Sequence, residues 1–201
     1  MARCSFYIDG FNVYYSINTH QFKRYKWLNY YAIAKDFTRR DDTIARVAYF
    51  TTYVTWKPGS VARHKEYVKA LRFAGVEIIL GRFLKKSVTC HNCHRPFKTR
   101  EEKQTDVNIA LHLLSDAVND YFDRAIIISG DTDLVPAIEM VHKHCPEKEI
   151  GVVFPIRRIN NSLLKAADFY RTLRMPILKR CQLPDEIKIG NVVIRRPQEW
   201  R

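Results

Sequence analysis

Strand-like and helix-like segments alternate along most of this chain, and that alternation limits its fold more than any single residue does. CSFYI at 4–8 and IARVAYFTTYV at 44–54 read as strands, as do VEIIL with its continuation to residue 83, AIIIS at 125–129 and EIGVVF at 149–154. They are rich in β-branched and aromatic residues. Helical patterns fall between them. The clearest are YYAIAKDFTRR at 30–40, GSVARHKEYVKALRFAG at 59–75, a stretch from about Thr105 to Asp120, and one from about Asp133 to His144. In the 59–75 segment Val61, Val68, Leu71 and Ala74 recur at helical spacing and Gly75 can end the helix. NSLLKAADFYRTLR at 161–174 adds a short helix and a sixth strand. Such alternation predicts βαβ units and an α/β, Rossmann-like three-layer fold with a mostly parallel central sheet.

Two stretches break the rhythm. Residues 84–103, LKKSVTCHNCHRPFKTREEK, are polar and basic and read as an inserted loop. After Pro176 the segment EIKIGNVVIRR carries a Gly-Asn pair between two β-prone runs, which predicts a hairpin. The expected organisation is one domain over 1–174 and a C-terminal extension over 175–201. The length of 201 residues suits this, with enough chain for a substantial core. No apolar run approaches the roughly 20 residues of a membrane span, and the N-terminus lacks a signal-peptide pattern, so a soluble cytoplasmic protein is expected.

The chemistry concentrates where apolar segments end in acid. FYIDGFNVYY at 6–15 places Asp9 at the exit of the first strand, with Asn12 three residues on. AIIISGDTDL repeats the design with Asp131 and Asp133, Gly130 permitting a tight turn. Ligands of open parallel sheets bind beyond the carboxyl ends of the strands, at the switch point of strand order. In EEKQTDVNIALHLL, Asp106 shares a helix face with Ile109, Ala110, Leu113, Leu114 and Ala117, which turns it towards the sheet. Each acid has a plainer use, as a helix cap or a turn brace. Four of them directed at one edge would repel one another unless a cation sits between them. Oxygen-only donors favour Mg2+ or Mn2+. Asn12 and Thr132 are placed to hold waters or carboxylates.

Net charge supplies the partner class. Lys and Arg number 34 against 21 Asp and Glu, a formal +13, which favours a polyanion such as nucleic acid. Arg82, Lys85 and Lys86 follow the third strand, and Arg157 and Arg158 follow the fifth, all near the acidic edge. Phe11, Tyr14 and Tyr15 read as packing residues rather than base-stacking ones.

Cys90 and Cys93 have zinc-knuckle spacing, with His94 or His91 as further ligands and a distant Cys or a second copy of the chain completing the set. CHNCH also matches haem attachment, but covalent haem needs an export route. A redox pair would open a helix directly after a strand, and this pair does not. Two free thiols in a surface loop is the plainer alternative.

At the acidic residues the sequence resembles a known family. FYIDGFNVYY, EEKQTDVNIALHLLSDA and IIISGDTDLVPAIE are similar to the three motifs of NYN-domain proteins of the LabA-like group, within the PIN-like nuclease superfamily, and LLKAADFYRTL is similar to that group's closing segment. The resemblance covers residues 4 to about 174. It implies a Rossmann-like sheet and metal-dependent hydrolysis of RNA phosphodiester bonds. It also implies a catalytic set of Asp9, Asp106, Asp131 and Asp133, with Asn12 matching the family's Asn. Some members carry a Cys pair before the helix motif, which favours a structural Zn2+. Alternatives are a non-catalytic RNA-binding or regulatory module with the same fold, and a small-nucleotide hydrolase; the charge argues for a longer polyanion than the last would take. Nucleic acid, RNA above all, is the expected partner, and a second copy of the chain, in a homodimer, is a further candidate.

Overall fold

The structure is a computed structural model that describes residues 1–19, 21–89 and 92–201, without the side chains of residues 85 and 97–103. Its centre is a six-stranded sheet in the order β3-β2-β1-β6-β7-β8. The strands are β1 (Arg3–Asp9), β2 (Thr43–Thr51), β3 (Glu77–Leu80), β6 (Arg124–Ile128), β7 (Glu149–Phe154) and β8 (Phe169–Thr172). Every pairing in this sheet is parallel. This is the expected α/β, Rossmann-like architecture. The chain winds outward from β1 to β2 and β3, then returns to β6 beside β1 and winds the other way. The switch point therefore lies between β1 and β6.

Side chains alternate across the sheet with period two, and both faces are covered. Phe6 and Ile8, Val47 and Tyr49, and Ile126 and Ile128 enter one core. Tyr7, Ala48, Phe50, Ala125 and Ile127 enter the other. On the first face lie α1 (Gly10–Ile17), α2 (Tyr30–Phe37) and α3 (Pro58–Phe73). On the second lie α4 (Thr105–Val118), α5 (Val135–His144) and α6 (Asn161–Ala166). Among the described residues, no helix is long and apolar enough to cross a membrane.

The 84–103 segment differs from its reading as a loop. Residues Arg82–Thr89 (β4) and Pro96–Lys103 (β5) form an antiparallel hairpin, paired from Arg82↔Lys103 to Thr89↔Pro96. Backbone hydrogen bonds between the strands hold it, so its polar composition gave no apolar period to read.

The segment after Arg174 is woven into the first core. It comprises α7 (Met175–Arg180) and a hairpin of β9 (Glu186–Ile189) and β10 (Val192–Arg195). Leu178, Cys181, Leu183, Ile187, Ile194 and Trp200 are buried there. The Trp27 indole N–H donates to the Pro184 carbonyl at 2.8 Å, and the Leu183 N–H to the Trp27 carbonyl at 2.9 Å.

Candidate functional site

β1 passes into α1 without a loop. Asp9 ends the strand and caps the helix, and its Oδ1 accepts the Asn12 N–H at 2.9 Å. Gly10 is required by close approach: a Cβ there would lie 2.6 Å from the Tyr49 ring and 2.7 Å from the Phe50 carbonyl oxygen. Burial pushes the Tyr49 hydroxyl well above its usual range, and the charge of Asp9 adds to the effect.

β6 ends beside it. Ser129, fully buried, donates its hydroxyl to Asp9 Oδ2 at 2.8 Å and accepts the Asp131 N–H at 3.1 Å. Asn12 Oδ1 accepts the Gly130 N–H at 3.1 Å. Two side-chain bonds thus stitch together strand exits that lie about 120 residues apart in sequence. Gly130 is also held by close approach, since a Cβ there would meet the Arg158 carbonyl oxygen at 2.3 Å. Asp131 caps the 3-10 turn Thr132–Leu134, its Oδ1 accepting the Asp133 N–H at 3.1 Å.

The third segment is α4. Ile109, Leu113 and Ala117 are buried along it, and Asp106 stands in its first turn, where the helix dipole favours a carboxylate. One carboxylate oxygen from each of Asp9, Asp106 and Asp131 lies within 4.8 Å of the others. Asp9 is buried, and Asp106 and Asp131 are half-exposed. This is an all-oxygen donor set with one face towards solvent, and it fits a hard divalent cation.

The remaining expected residues take different places. Asp133 and Thr132 are exposed on the turn after Asp131, and Asp133 is outside the close trio. Arg82 is exposed at the stem of the β4–β5 hairpin. With the Gln104 amide oriented oxygen-inward, its Nε and Nη2 donate to that oxygen at 3.2 Å each, two residues before Asp106. Lys86 is exposed further along β4, and the Lys85 side chain lies outside the described residues. Arg157 and Arg158 are exposed after β7, where the Arg158 backbone packs over Gly130. Cys93 and His94 are exposed between β4 and β5; Cys90 lies outside the described residues.

Two features were not anticipated. Ser129 bonds to both strand exits, and its one sequence signal is its place between an apolar strand and the GDTD turn. Tyr14 and Tyr15, expected to pack, are exposed, and neither they nor Phe11 belong to either core. The outer face of α1 is simply not covered by another element of the core.

This combination, a parallel sheet with an acidic trio at its switch point, fits a PIN-like nuclease fold. The NYN domain family model matches residues 3–174, and the chain belongs to that family. One curated relative is the 6-hydroxy-3-succinoylpyridine 3-monooxygenase HspA of Pseudomonas putida (strain DSM 28022 / S16). It is 28% identical over 238 residues, spanning 98% of this chain and 75% of the relative. A crystal structure of a protein of unknown function from Vibrio parahaemolyticus RIMD 2210633 superposes with a TM-score of 0.62 at 19% identity, covering 87% of this chain and 94% of that one. That likeness is one of fold.

Proposed function

We propose that the protein is a divalent-cation-dependent ribonuclease, with Asp9, Asp106 and Asp131 as the cation's ligands and Mg2+ or Mn2+ as the cation. The observation that carries this reading is the meeting of three carboxylates from three separate segments of an NYN domain within 4.8 Å. A cation bound there would acidify a ligand water and offset negative charge developing on a phosphate. Ser129 and the Asn12 N–H each engage one oxygen of Asp9, which fixes the carboxylate's orientation. Asp133 and Thr132 stand at the exposed rim, where substrate and water arrive. Arg82 and Lys86 on β4, with Arg157 and Arg158 after β7, are exposed cations that would attract the phosphodiester backbone. In hydrolysis, water oxygen adds to phosphorus, one P–O ester bond breaks, and the departing oxygen takes up a proton.

The test is incubation of labelled RNA and DNA with Mn2+, with Mg2+ and with chelator, for the parent and Asp131→Asn. The variant should lose roughly 10²-fold or more in rate, the usual effect of removing a key electrostatic group. Equal rates would remove Asp131 from the mechanism. A parent that binds RNA but cleaves it neither with Mn2+ nor with Mg2+ would be a binding module. A second reading, oxygenation of a small pyridine acid, is favoured by the near full-length alignment with the monooxygenase. Dioxygen uptake dependent on such a substrate and an electron donor would support it over hydrolysis.

A further inference from the structure

A connected row of aromatic rings runs outside both cores, and one of its members, Phe11, stands on the helix that Asp9 caps. Trp56, in the loop after β2, meets Phe83 of β4 edge-on at 4.7 Å between ring centroids. Phe83 meets Phe11 of α1 edge-on at 5.9 Å. Phe11 stacks on Tyr15 at 6.2 Å with 23° between planes, and Tyr15 meets Tyr14 at 5.6 Å. Phe11, Tyr14 and Tyr15 share one helix face through their i, i+3 and i+4 spacing. Asp9 caps that same helix, so the row and the trio are rigidly connected.

Neither core includes any of these five residues. Rings that served only to seat the hairpin would be covered by it, yet Tyr15 is 57% exposed and Tyr14 36%. At the far end Lys26 Nζ lies 4.6 Å from the Tyr14 ring centroid and donates to Asn18 Oδ1 at 2.6 Å. Burial, together with the neighbouring charges of Arg63 and Lys23, lowers its pKa. The charges acting on Lys26 are thus cationic, a setting that attracts an anion.

We propose that Trp56, Phe83, Phe11, Tyr15 and Tyr14 form a stacking track for the unpaired bases of a single-stranded nucleic acid, with Lys26 receiving a backbone phosphate at its end. The exposed rings of Tyr14 and Tyr15 can accept any base, the half-buried Phe11, Phe83 and Trp56 continue the row, and base–aromatic stacking beside cations is how sequence-tolerant single-strand sites work. Duplex bases are already stacked on one another and have no face to offer. The proposal rests on the nucleic-acid reading above and specifies the form of substrate the site takes.

The experiment is done in chelator, so that no turnover occurs, with three probes: a single-stranded oligouridylate, the same length in duplex, and a base-free sugar-phosphate oligomer. Tryptophan emission is the readout. Trp27 and Trp200 are buried, so a quenching ligand reports on Trp56. The single strand should quench emission and bind best. Tyr15→Ala, at an exposed position, should weaken single-strand binding roughly tenfold and leave binding of the base-free oligomer unchanged. Lys26→Ala should reduce the salt slope of single-strand binding by about 0.7. Equal affinity for the base-free oligomer, or no quenching together with full affinity of Tyr15→Ala, would overturn the track. A protein that cuts RNA with Mn2+ yet gives that result keeps the hydrolysis reading and loses this one. A protein that is quenched by single strands and discriminates as expected, but never cuts, keeps the track and loses hydrolysis.

Discussion

The Ser129 hydroxyl donates to Asp9 Oδ2 at 2.8 Å while accepting the N–H of Asp131, so one buried side chain sets the separation of two members of the acidic trio. Ser129→Ala should leave both partners short of a hydrogen bond. Loss of a buried partner costs about 1–3 kcal/mol of stability. Groups that orient metal ligands typically contribute about 10–100-fold in metal affinity. Calorimetric titration with Mn2+ beside urea unfolding measures both effects. Parent-like affinity in the variant would show that Asp9 needs no orienting donor.

Gly10 and Gly130 should tolerate no side chain, for a reason of space. The first atom of any side chain would overlap the Phe50 carbonyl in one case and the Arg158 carbonyl in the other. Both obstacles are backbone and cannot swing away. Gly10→Ala and Gly130→Ala should each lose about 1–3 kcal/mol or more in denaturant unfolding. Gly59, with only the flexible end of Arg63 at 3.5 Å, is the control and should accept Ala with little change.

Stability should fall on mild acidification, and His64 should be a principal cause. Its Nε2 lies 3.1 Å from the Thr51 hydroxyl and its ring packs on Tyr53, and burial pushes its pKa from 6.5 down to about 4. The unfolded chain therefore takes up a proton near pH 6.5 that the folded chain refuses until about pH 4. The contribution is complete above pH 6.5 and is lost as pH falls towards 4, with a slope of up to about 1.4 kcal/mol per pH unit. Urea unfolding at several pH values within that window should show this slope in the parent and a flatter one in His64→Gln. Parallel curves would assign the pH dependence to other groups.

The acidic trio was legible because its grammar is local. An apolar strand ending in Asp, or an Asp one turn before an apolar helix stripe, can be recognised without knowing what lies beside it. Ser129 was not legible, since its role exists only because β1 and β6 are neighbours. The same holds for Trp27, whose partner Pro184 lies 157 residues away, and for the burial of Leu178 and Trp200 beside it. The β4–β5 hairpin escaped notice because cross-strand backbone bonds leave no trace in side-chain hydrophobicity. Tyr14 and Tyr15 misled for the opposite reason: their composition suggests a core, and only the finished packing shows that, among the described residues, they belong to neither core and stay partly open to solvent.

Asp131 offers the cleanest separation of charge from fold. Its Oδ1 caps the turn at Thr132–Leu134 through the Asp133 N–H, and Asn caps as well as Asp does. Asp131→Asn therefore keeps the hydrogen bond and deletes the charge. In chelator the variant should melt at the parent's temperature or above it, because repulsion among three carboxylates within 4.8 Å is relieved. With Mn2+ at about 100 times its dissociation constant, the parent should gain about 2.7 kcal/mol. For a chain of this size that is a rise of roughly 5–10 °C in Tm. The variant should gain much less, so that the order of the two melting temperatures reverses between chelator and metal. An equal rise in both would place the bound cation elsewhere on the molecule, and no rise in the parent would mean that the trio does not hold Mn2+.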